Sequence, residues 1–358
     1  MPALAAALAV LSVLAAQDPS RLARDYVDAV RAVNEAHLKK PLGKTEAELA
    51  AKLPASADQA VAGLAKAPDA PAVREALVAA ARAALDLDRG KDFAVLRDRL
   101  AALDAEAARE LGILVSRPRF LAIGTNGIEP ACLAAIADVF DLVLDAYRDV
   151  FHLEQFSKVP GKKLRLLVHL EAAITRPPHF APEFPWHSQI DFPVIDATAF
   201  TSPTKDGKFL FYGLCHELGH VIAMWGDTKN EEDRHAWAHY TGVVVVEHVA
   251  KTKKDVPAIA ALRDVRWRSL DFEQKRLAAA KTAPGGKDTD AVLARFLALH
   301  AAVGSKAIGD ALDELDRKDQ NLRVNRVRYY TMRDFQKALL AGKPGQANKK
   351  AVEAAFRD

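Results

Sequence analysis

Cys215-His216-Glu217-Leu218-Gly219-His220 is the stretch that most limits what this chain can fold into. It is an HExxH sequence set in an apolar run from Phe209 to Trp225. Read as a helix, the run places His216 and His220 four residues apart on one face. Two imidazoles so placed can hold one zinc ion, with Glu217 beside them as a candidate general base. Cys215 adjoins His216 but projects about 100° away from it on a helix, so it is not counted as a ligand.

A catalytic zinc site needs three protein ligands and one position left for water. The third must come from the return segment, where Asn230 is a good N-cap and a second helix is expected to run to about Lys251. Five of the eleven histidines lie between His216 and His248. His235 is the first choice, because small Ala236 and Ala238 flank it on a helix that must approach the first one closely. His239 lies one turn further on the same face. It is either the ligand itself or a partner that orients His216 or His220. Glu231, Glu232 and Asp233 have the right chemistry too, although acids in a first turn also complement the helix dipole.

Around this centre the pattern changes twice. From Asp18 to about Leu111 it is helical, with segments Leu22–Leu38, Ala70–Leu87 and Phe93–Leu111. This is an all-α region, either a cover for the next domain or a removable pro-segment. Next come a short strand at Arg119–Gly124, an amphipathic helix at Pro130–Phe151 and a strand at Lys163–Leu170. Phe192–Phe200 reads as a further strand, which Pro193 would confine to an edge. Beyond the return helix the chain is helical again, over Ile259–Ala280, Asp290–Val303, Ser305–Leu315 and Tyr329–Leu340. The expected fold class is α+β, predominantly helical.

Bulk properties exclude some partners. Fifty basic and 47 acidic residues leave +3, which gives no reason to expect nucleic acid or an anionic membrane. Pro2–Ala16 is an apolar run too short to span a membrane, and it fits the core of a secretory signal, so residues 1–17 imply export. No later segment is expected to span a membrane. Two cysteines, Cys132 and Cys215, exclude a disulfide framework, and buried thiols are the expected state.

His216-Glu217-Leu218-Gly219-His220, followed by a helix carrying a ligand, resembles the zincin metallopeptidases. Within them it is most similar to the gluzincins, whose return helix often reads Glu-Gly-x-Ala-x-Tyr. Here the return helix reads His235-Ala236-Trp237-Ala238-His239-Tyr240, with His235 where that group has its Glu ligand. The metzincin pattern is absent, because Ala223 and Gly226 occupy its glycine and third histidine positions.

The resemblance implies a zincin-like catalytic domain at 116–255, with a small mixed sheet, an active-site helix and a return helix. It would lie between the helical regions 18–115 and 256–358. It further implies an edge strand near Asp196–Phe200 that binds a peptide or protein substrate by strand addition. The expected chemistry is peptide-bond hydrolysis by a zinc-activated water, with Glu217 as general base. Tyr329, Tyr330, Tyr240 and His187 are candidate donors to the oxyanion. The alternative is a non-catalytic zinc-containing scaffold, in which His235 and His239 both bind and close the site.

Overall fold

The computed structural model describes residues 18–39, 53, 55, 58–153, 156, 163–171, 179–181, 189–194, 207–223, 231–260, 265–280, 289–317, 322–324 and 327–356. The N-terminal helices are α1 (Pro19–Lys39), α2 (Pro71–Asp86), α3 (Gly90–Leu103) and α4 (Ala105–Leu111). Strands β1 (Ile113–Ser116) and β2 (Phe120–Thr125) follow, then α5 (Pro130–Phe151), β3 (Leu164–Leu170), β4 (His179–Ala181) and β5 (Gln189–Val194). The HExxH helix is α6 (Gly207–Ile222) and the return helix is α7 (Glu231–Thr252). Helices α8 (Pro257–Ala260), α9 (Leu270–Ala279) and α10 (Thr289–Arg317) come next, then the β6 (Leu322–Val324) and β7 (Val327–Tyr329) pair and α11 (Met332–Ala341).

Strand alternation divides the hydrophobic core in two. Phe120 and Ala122 of β2, with Leu164, Leu166 and Val168 of β3, share one core with α5, α6, α7 and α10. Leu121 and Ile123 point the other way and join Leu77, Phe93, Leu96 and Leu100 of the N-terminal helices. The N-terminal helices therefore pack on the sheet's second face. The result is a predominantly helical α+β fold around one mixed sheet, in the order β1-β2-β3-β5-β4. The β2–β3 and β3–β5 pairs are parallel, and β1 and β4 run antiparallel to their neighbours. The parallel pair β2–β3 is joined by α5, as a parallel crossover requires.

Several expectations need correction. Phe93–Leu111 is two helices, because Asp104 is extended and its carboxylate caps α4 by accepting from the Ala107 N–H. The sheet starts at Ile113, since β1 pairs with β2 from that residue. β5 is not an edge strand, as it lies between β3 and β4. The Val194 carbonyl accepts from the Glu171 N–H on the β3 side. Pro193, one residue earlier, faces the β4 side, past His179, the last described residue of that pairing, so its missing N–H removes no described ladder bond. Ile259–Ala280 is two helices, α8 and α9. Tyr329 ends a strand instead of starting a helix, and Thr331 caps α11 by accepting from the Asp334 N–H.

Among the described residues, Thr289–Asp316 is apolar and long enough to cross a membrane by length and composition only. Gly304 breaks it with φ 80°, and Leu293, Phe296, Leu299 and Ile308 are buried in the shared core. The signal-like residues 1–17, the residues near Asp196–Phe200, and His187 lie outside the described residues. Cys132 and Cys215 are buried thiols and form no disulfide.

Candidate metal centre

Small residues let α6 and α7 come together at the HExxH turn. A Cβ built on Gly242 of α7 would meet the His216 Cα and N at 3.3 Å. Gly219 of α6 faces Ala238 and Thr241 of α7 at similarly close range. On its far side α7 carries Trp237 and Tyr240, which pack on Phe296, with Trp237 also against Phe335. α7 is thus pressed against α6 by an aromatic cluster behind it. Tyr147 of α5 donates to the Cys215 carbonyl at 2.6 Å and lies 3.1 Å from the Thr241 hydroxyl, tying three helices at this level.

This approach brings three histidines together. His216, His220 and His235 each offer a ring nitrogen, and the three atoms lie within 4.8 Å of one another. Ring centroids are 4.9 Å apart for His216 and His220, 4.6 Å for His216 and His235, and 5.9 Å for His220 and His235. Exposure grows across the cluster, from buried His216 through half-buried His220 to exposed His235. Buried Glu217 lies at its edge, with Oε1 3.9 Å from the His216 Nε2.

The donor set suits a divalent cation of the zinc type, which takes neutral imidazole nitrogens. Burial, reinforced by His220, His235 and His239, holds His216 well below the usual histidine range. Burial and then His235 bring His220 down to about 3. Both rings are therefore uncharged at neutral pH, with lone pairs available to a metal.

His239 is not part of the triad. Its Nδ1 is hydrogen-bonded to the Tyr212 hydroxyl, and its Nε2 lies 3.6 Å from the Glu273 carboxylate. The same Tyr212 hydroxyl is 3.1 Å from the His216 Nδ1. Glu273 is fully buried, with Arg268 at 2.7 Å and Arg276 at 2.5 Å. Burial opposes its charge, but His239, Arg276 and Arg268 outweigh that and bring its carboxyl down to about 2. Arg276 is itself held by both oxygens of Asp290. A run of polar contacts therefore leads from Asp290 to His216, its His239 Nε2–Glu273 step being a 3.6 Å charge contact longer than a hydrogen bond.

The other residues singled out from sequence are placed elsewhere. The Tyr240 hydroxyl meets the His300 Nδ1 at 3.0 Å, and the buried Tyr330 donates to Asp316 at 2.8 Å. His248 lies 3.9 Å from Asp149. The side chains of Glu231, Glu232, Asp233 and Tyr329 lie outside the described residues. Tyr212 and Glu273 were not anticipated. Tyr212 had a signal, since it precedes His216 by four residues on the same helical face. Glu273, 57 positions beyond His216, had none.

Comparison with protein-family models, curated proteins and solved structures gives no match for this chain.

Proposed function

We infer that the protein is a zinc-dependent hydrolase of peptide bonds with a zincin-like centre. The observation that carries this reading is the convergence of His216, His220 and His235 within 4.8 Å, with Glu217 beside them. A zinc ion held by the three imidazoles would supply Lewis acidity and a water that loses its proton near neutral pH. Glu217 takes that proton and returns it to the leaving amine. His216 and His220 stay unprotonated, and the exposed His235 side gives a substrate its approach.

Three ligands, not four, favour an open site over a closed scaffold. The nitrogens of His239 are directed at Tyr212 and Glu273, so it is a supporting residue rather than a fourth ligand. A purely structural zinc site has no use for a carboxylate in the position of Glu217.

The test is Glu217→Gln. The variant should bind one zinc per chain like the parent and lose hydrolysis of a mixed casein or peptide-library substrate by several orders of magnitude. Unchanged hydrolysis in the variant, or no hydrolysis by the zinc-loaded parent, would count against the enzyme reading.

A further inference from the structure

We propose that Glu273, acting through His239 and Tyr212, fixes the tautomer of His216 and so sets the metal affinity of the site. These three are positioning residues, and the proposal rests on the metal-site reading above.

The inference comes from hydrogen-bond bookkeeping along the chain. A neutral imidazole carries one N–H and one lone pair, and a tyrosine hydroxyl has one hydrogen to give. His216 turns Nδ1 to Tyr212 and Nε2 to Glu217 and the cluster. To offer a lone pair from Nε2, His216 must carry its hydrogen on Nδ1 and donate it to the Tyr212 oxygen. Tyr212 then donates to the His239 Nδ1. His239 in turn carries its hydrogen on Nε2, which faces the Glu273 carboxylate.

With a neutral His239 the opposite polarity fails at the far end. If His216 were protonated on Nε2, Tyr212 would have to donate to its Nδ1. A neutral His239 would then donate from Nδ1 to Tyr212 and present a bare Nε2 lone pair to Glu273. An ionised carboxylate only accepts. Arg268 and Arg276 keep Glu273 in that state, so two acceptors would face each other in a buried site. The carboxylate thus acts as the fixed terminus that orients each link. Groups that orient a ligating histidine in this way change metal affinity by roughly 10- to 100-fold when removed.

The geometry of the outer links supports a dedicated role. Tyr212 is a member of α6 itself and moves with His216, while Glu273 belongs to α9 and His239 to α7. The chain therefore couples three helices. Arg268 adopts a left-handed φ of 60° just before the Ser269 cap of α9, where its guanidinium meets Glu273. A non-glycine residue in that region is uncommon, which sets this turn apart from an ordinary helix start.

The test uses the full chain and Zn2+ as the probe, titrated against a chromophoric chelator. Tyr212→Phe keeps the ring and removes the hydroxyl. Glu273→Gln replaces an obligate acceptor by an amide that can turn either face to His239. Each should weaken Zn2+ binding by roughly 10- to 100-fold. Glu273→Gln should add nothing to Tyr212→Phe, because the link between them is already cut. Wild-type affinity in both single variants, or additive losses in the double variant, would overturn the proposal. In the metal-free protein, 15N shifts of His216 should report hydrogen on Nδ1 in the wild type and a mixture of tautomers in Tyr212→Phe. A wild type with hydrogen on Nε2 would equally overturn it. Failure of the wild type to bind Zn2+ would sink the metal-site reading itself, and the tautomer measurement would still decide the relay. Melting temperatures of the metal-free variants distinguish loss of the relay from loss of fold.

Discussion

Gly219 of α6 and Ala238 of α7 are in backbone contact: a methyl group on Gly219 would lie 2.8 Å from the Ala238 Cα and 3.0 Å from its carbonyl oxygen. The glycine inside the HExxH sequence is therefore a packing residue. It permits the short interhelical distance that carries His235 to His216 and His220. Its place within the HExxH sequence reflects the need for two helices to meet there.

Gly219→Ala should force the helices apart. The nearest atoms on α7 are the Thr241 hydroxyl and the Ala238 backbone, and the backbone cannot rotate away, so the cost is of the overpacking kind, about 1–3 kcal/mol. Urea unfolding of the metal-free protein measures this. Zn2+ affinity should fall in parallel, since His235 rides on the displaced helix. A variant as stable as the parent would show that the contact relaxes freely.

His235→Ala should weaken Zn2+ binding by more than the roughly 10- to 100-fold expected for an outer partner, because in the proposed site it removes one of the three ligands. His239→Ala should fall within that smaller range. The ranking of the two variants in a zinc titration is the readout. Equal losses would make His239 a ligand and would revive the closed, scaffold-like site.

Tyr147→Phe should lower stability by about 1 kcal/mol, the usual net worth of one hydrogen bond. Its hydroxyl reaches the carbonyl of Cys215 and the hydroxyl of Thr241, so the loss falls where α5, α6 and α7 meet. Burial keeps that phenol protonated, so the effect should not vary between pH 6 and 9. Chemical denaturation at those two pH values checks both statements.

Acid should destabilise the metal-free protein in two stages. Burial and His235 bring His220 to about 3 against an ordinary 6.5, and His216 is likewise held low by burial and His220. The unfolded chain takes up these protons below pH 6.5 and the folded chain does not. This contribution is therefore complete above pH 6.5 and declines as the pH falls towards 3. Glu273, at about 2 against 4.5, contributes fully above pH 4.5 and loses its part between 4.5 and 2. Melting temperatures should drop from pH 7 downward, with His220→Asn flattening the upper stage. A flat profile between pH 7 and 5 would contradict the burial of these rings.

Much of the core architecture was legible locally. Pro130–Phe151 carries its helix signal in the spacing of Leu133, Ile136, Phe140, Leu144 and Phe151, and α5 has those limits. Phe93–Leu111 misled, because a continuous apolar period hid the capping preference of Asp104. Pro193 misled for a different reason. A proline is excluded only from ladder positions that need its N–H, and which side of β5 faces which neighbour is a property of the assembled sheet. Tyr329 was drawn into the following helix by its apolar neighbours, although Thr331 is the capping residue.

By itself the sequence determined the pairing of His216 and His220, the position of Glu217 between them, and the histidine-rich return segment. Those relations lie within single helices, where residue spacing sets direction. Only the tertiary structure decided which return-helix histidine joins the pair. His235 and His239 share a face and a chemistry, and they differ only in what lies opposite each of them. The close contact of α6 and α7 brings His235 to the cluster, while Glu273, arriving from α9, takes His239 away from it. That choice depends on a carboxylate 34 residues beyond His239, brought to it by the packing of α9 rather than by any local pattern.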